Sequence, residues 1–119
     1  MSNVYKIPGW IDRVQEEILE PDLPIIDPHH HLWHGPEQEE SNNNPYRYLL
    51  EDLWNDTGSG HNIKKTVFID CGQEYYNDGP DAFKPVGETE FVVEIAKQAQ
   101  SNPANAQISG IIGHVDMML

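Results

Sequence analysis

Residues 24–33 read PIIDPHHHLW. Positions 24–27 form a short apolar run bounded by prolines, which predicts a buried strand. His29, His30 and His31 follow it directly. Side chains alternate along an extended chain, so Asp27, His29, His31 and Trp33 are expected on one side, with His30 and Leu32 on the other. Two imidazoles at i and i+2 can converge on one cation from a strand end, and zinc takes His nitrogen at about 2.0–2.1 Å. The C-terminal ends of parallel strands are also where barrel and doubly wound enzymes gather their chemistry. A lone His-x-His carries little weight, because surface histidines are common. The strand in front of it, and an acid at matching parity, give it weight here.

Three segments around this strand read as helices. Over 9–20, Trp10, Val14 and Ile18 recur at i, i+4, i+8, and Pro21 ends the run, which predicts a surface helix. Over 46–55, Leu49, Leu50, Leu53 and Trp54 make an apolar face, and the glycines of TGSGHN stop it. Over 88–99, Phe91, Ile95 and Ala99 repeat the same spacing, with Val92 beside Phe91. Two more strands are expected at 63–70, IKKTVFID, where β-branched and aromatic residues sit at the centre, and at 108–115. The stretch 36–45 is polar and proline-bounded, and reads as a loop. Helices alternating with strands imply βαβ units, a parallel sheet and right-handed crossovers.

Composition excludes several classes of function. The 119 residues hold 20 acidic side chains against 7 basic, a net charge of -13. Affinity for nucleic acid and for anionic membranes rests on Lys and Arg, so neither is an expected partner. Three Trp and five Tyr argue for a folded chain rather than an acidic disordered one. Cys71 is the one cysteine, so no internal disulfide forms. The N-terminus has no apolar signal core and no run approaches a membrane span, so the cytoplasm is the default compartment. Neither TGSGHN nor ISGIIG has phosphate-loop spacing with a following Lys, which excludes a nucleotide site of that kind.

The stretch IIDPHHHLW resembles the Asp-x-His-x-His-x-Trp signature that opens the amidohydrolase-related metal-dependent hydrolases, a TIM-barrel family. YLLEDLWNDTGSGHNIKKTVFIDCGQEYY, DGPDAFKPVGETEFV and SGIIGHVD are similar to that family's next stretches. The resemblance spans nearly the whole chain, and the histidine motif is its most specific part. It implies the first three βα units of a (β/α)8 barrel over residues 1–119, as one incomplete N-terminal part of a domain, with the helix at 9–20 packed outside. Such barrels run to roughly 250 residues. The apolar strand at 108–115, with no helix after it, fits the same expectation of a fragment.

The resemblance implies His29 and His31 as metal ligands, zinc being the first choice and iron, nickel and copper also suiting imidazole. Asp27 is the expected acceptor that orients one of the two rings. The family's further ligands and its general base come from later strands and are expected beyond residue 119. His30 is expected to be structural, and His61, at the far end of the second strand, likewise. His34 stands near the site's lip.

Trp33, Gln73, Glu74, His114 and Asp116 would reach a small-molecule substrate from the rim, with Cys71 and Tyr75 beside them. Each has a plainer reading: a buried thiol for Cys71, a loop acid for Glu74, a hydrogen-bonded imidazole for His114. The implied activity is hydrolysis of a carboxyl derivative such as a lactone, amide or ester by a metal-activated water. Decarboxylation, also known in that family, and a short non-enzymatic metal-binding protein are the alternatives. The sequence does not fix the oligomeric state.

Overall fold

The computed structural model describes residues 9–35 and 47–118. Three strands form one parallel sheet in the order β1 (Pro24–His30), β2 (Asn62–Ile69), β3 (Gln107–Ile112). Helix α1 (Leu50–Thr57) joins the first pair and α2 (Val86–Ala99) the second. Parallel neighbours need such crossovers, because a tight turn would reverse the chain. The architecture is thus α/β, as the alternation of elements predicts.

One face of the sheet carries the core. Phe68 and Ile108 from the strands meet Leu50 and Leu53 from α1, Val92, Ile95 and Ala99 from α2, and Leu32 from the segment after β1. The helix residues recur at helical spacing, and each large side chain buried there contributes about 1.5–3 kcal/mol. Polar ties close the ends of these elements. Trp54 donates its indole N–H to the Ala106 carbonyl at 2.9 Å, and the Gln107 amide reaches the Ala99 carbonyl at the end of α2, also at 2.9 Å. On the sheet, Ile26 and Ile112 remain 61% and 53% exposed. No helix among the described residues is long and apolar enough to cross a membrane.

Element bounds shift from those expected. β1 extends to His30, so two of the three histidines lie inside it. β3 ends at Ile112, which leaves His114 and Asp116 beyond the strand. α1 starts at Leu50, because Tyr48 is held extended by a two-way main-chain bridge to Trp33, at 2.8 and 2.9 Å. Position 46, the expected start, lies outside the described residues, as does the whole of the expected loop at 36–45.

The helix expected over 9–20 is not formed. A single 3-10 turn covers Ile11–Arg13, and Val14 is already extended. Two of the three residues of the apolar stripe stay uncovered among the described residues: Trp10 and Val14 are 58% and 68% exposed. A helix this short is marginal in water without packing on its apolar face. The Arg13 guanidinium lies 5.2 Å from the Trp10 ring centroid, and Ile18 packs at Gly60, where a Cβ would collide with its Cδ1.

Candidate metal centre

The sequence places three imidazoles in a row, and the sheet sorts them. His30 pairs with Phe68 of β2 and is 8% exposed. Its Nε2 lies 3.0 Å from the Thr66 hydroxyl, and its ring meets Phe68 edge-on. Burial lowers the pKa of His30, so the neutral ring is favoured. Its Nδ1 is buried and has no partner among the described residues. This is the structural histidine expected from alternation.

His29 and His31 turn the other way and converge. Their Nε2 atoms are 3.3 Å apart, with the rings at 88°. Behind His31, its Nδ1 lies 2.7 Å from the Ile69 carbonyl. A carbonyl only accepts, so Nδ1 carries the proton and the Nε2 of the neutral ring presents a lone pair. Metal-bound histidines are commonly fixed this way, with the far nitrogen donating to a carbonyl. Two imidazole nitrogens 3.3 Å apart are close enough that both could reach one cation at the zinc–imidazole distance, so the pair could hold two positions of a metal site. Among the described residues, no group of three or more His, Cys, Asp or Glu side chains gathers as a metal site.

Asp27 departs from the expected parity. It pairs with Thr66, and His30 pairs with Phe68, so β1 spends three steps where β2 spends two. The extra residue is a bulge, and it puts Asp27 in register with the strand face that carries Thr66. Its carboxylate accepts the backbone N–H of His29 at 3.1 Å. It therefore shapes the bulge on which His29 stands, through the main chain and not through an imidazole nitrogen.

Around the pair, Trp33 packs 5.5 Å from the His31 ring and 6.1 Å from Tyr48. Across from it runs the loop after β2. Glu74 lies 3.6 Å from His34 Nδ1, and both side chains are about half exposed. Glu74 has φ 54°, a left-handed backbone that few non-glycine residues adopt. Tyr75 donates its hydroxyl to Asp70 at 2.8 Å, and burial pushes the phenol up to about 12. The other Asp70 oxygen is buried without a partner among the described residues. His114 and Asp116 are exposed beyond β3, and His61 is exposed before β2. A cleft of ≈ 680 Å³ opens between α1 and α2 beside His34, Trp54 and Phe91, and neither His29 nor His31 lines it.

Sequence reasoning missed Glu88. It stands in the first turn of α2, where acids are usually solvated, yet it is fully buried. Its carboxylate accepts the backbone N–H groups of Cys71 at 2.9 Å and of Gly72 and Gln73 at 2.8 Å. The Cys71 thiol lies 3.4 Å from the same carboxylate, and burial with that negative neighbour pushes it up to about 12. Cys71 is thus a half-buried thiol whose surroundings disfavour the thiolate. The one hint in the sequence is Gly72, which adopts φ 93° and lets three successive amides turn towards one acceptor.

Compared with protein-family models, with curated proteins and with solved structures, the chain finds no match in any of the three.

Proposed function

We propose that this chain forms the first part of a metal-dependent hydrolase of a carboxyl derivative, a lactone, amide or ester, with His29 and His31 as two of its metal ligands. The observation that carries this reading is the convergent Nε2 pair, its His31 ring held from behind by the Ile69 carbonyl. The barrel arrangement is part of the same proposal, and rests on the parallel sheet and the sequence resemblance.

Within it, each residue has a physical task. His31, its tautomer set by Ile69, offers a lone pair at a fixed point. His29 brings the second lone pair, on a bulge shaped by Asp27. A bound zinc would polarise the substrate carbonyl and lower the pKa of its water to about 7. Trp33 walls one side of the pair, and Gln73 and Glu74 face the substrate from the loop after β2. The remaining ligands and the general base lie outside the described residues.

The test is a substrate panel on the complete protein: lactones, amides and esters, with aromatic acids included for decarboxylation. Zinc-dependent hydrolysis that disappears in H29A and H31A is expected. Carbon dioxide release without hydrolysis would assign the decarboxylase instead. Stoichiometric zinc without turnover of either kind would assign a non-catalytic metal-binding protein.

A further inference from the structure

Glu88 lies outside the histidine pair, yet its contacts lead to it. A buried carboxylate is costly unless its oxygens are satisfied, and here both oxygens take backbone amides from one three-residue turn. That turn starts two residues after Ile69, whose carbonyl receives the His31 Nδ1 proton. The next amide along, Asp70 N–H, is tied to the Ile112 carbonyl of β3 at 2.9 Å. The Cys71 thiol also lies 3.8 Å from the Leu32 carbonyl, next to His31. The end of β2 is therefore gripped from α2 on one side and from β3 on the other, and the His31 ring leans on the gripped segment.

A second observation shows that α2 is built for this approach. A Cβ at Gly87 would collide with the Glu74 carbonyl and come within 2.9 Å of the Tyr76 nitrogen. Only glycine lets the loop lie that close to the helix. Tyr76 N–H also bonds the Lys84 carbonyl at 3.0 Å, just before the helix starts.

We propose that Glu88 is a positioning residue for the histidine pair. By holding the amides of Cys71, Gly72 and Gln73, it fixes the end of β2 so that the Ile69 carbonyl selects the His31 tautomer whose Nε2 can bind a cation. The part of this that concerns affinity rests on His29 and His31 being metal ligands. The part that concerns the tautomer does not.

The experiment compares the complete protein, untagged, with its E88Q and G87A variants. E88Q keeps the shape but puts an amide N–H against backbone N–H groups. G87A pushes the same loop away while leaving the carboxylate intact. Three readouts are taken: hydrogen exchange of the 71–73 amides, 15N shifts of the His31 ring without metal, and zinc titration. In each variant that retains cooperative unfolding, amide exchange should speed up by at least about tenfold. The His31 shifts should move from one Nδ1–H form to a tautomer average. Zinc should bind about tenfold more weakly, the lower end of losses for groups behind a metal ligand.

Faster amide exchange with unchanged His31 shifts and unchanged zinc affinity would overturn the proposal, leaving Glu88 as an anchor of the loop alone. If E88Q does not fold, G87A decides by the same readouts. If zinc binding to the parent chain is indifferent to H29A and H31A, the metal reading fails. The His31 shifts then decide the role of Glu88 by themselves.

Discussion

The Nε2 atoms of His29 and His31 stand 3.3 Å apart, and the Ile69 carbonyl holds His31 from the opposite side of its ring at 2.7 Å. With the His31 lone pair turned inwards, this gap is filled either by a proton from His29 or by a cation. Zinc is expected to bind the complete protein with one ion per chain, and H29A and H31A should each weaken it by at least about tenfold, the loss that even outer partners cause. Isothermal calorimetry reads this directly. Equal affinity in the parent and both variants would remove the pair from the metal site.

His30 separates stability from binding. Among the described residues its side chain meets Thr66, and its Nδ1 is buried without a partner. T66V keeps the shape of the side chain and leaves both nitrogens of a buried imidazole unsatisfied. A loss of about 1–3 kcal/mol is expected in urea unfolding, with zinc affinity unchanged. A zinc affinity that falls while stability holds would mean that His30, and not a neighbour, faces the cation.

What could be read from the sequence follows from where periodic signals survive. Apolar runs gave all three strands, because a strand buried in a parallel sheet must be apolar wherever it is covered. Alternation sorted His30 from His29 and His31, and the outer two do turn away from the buried one. It misplaced Asp27, because the bulge just before His30 breaks the count and no residue type announces it. The stripe Trp10, Val14, Ile18 has helical spacing, but spacing becomes structure only when something packs on it. Glu88 was illegible for another reason: its partners are main-chain amides, which every sequence has.

Cys71 gives a test of pH dependence. Its thiol is raised from an ordinary 9.0 to about 12, by burial first and by the Glu88 charge next. The native state keeps a proton that the unfolded chain loses between those values. The contribution of Cys71 to stability is therefore complete below about pH 9 and is lost as pH rises towards 12. Tyr75, also raised to about 12, has the same sign. At pH 8 the thiolate fraction of the folded chain is below that of the unfolded one, so iodoacetamide labelling should be slower in native buffer than in urea. Similar rates in native buffer and in urea would show an exposed, ordinary thiol.

Phe68 couples the core to the histidines. It is 1% exposed and sits among Leu32, Leu53, Val92 and Ile95 in one cluster. The same ring lies 5.7 Å from His30 and 6.5 Å from His31, edge-on to both. F68A opens a cavity under both rings and is expected to cost about 3–5 kcal/mol. F68L, closer in volume, should cost less than about 1.5 kcal/mol. Because the His31 ring rests partly on Phe68, F68L should also loosen it, so zinc affinity should fall even where most of the stability remains. Urea unfolding and calorimetry on the two variants measure both quantities. A zinc affinity that is unchanged in F68L would show that the Ile69 carbonyl alone orients His31, and that the aromatic floor serves the core only.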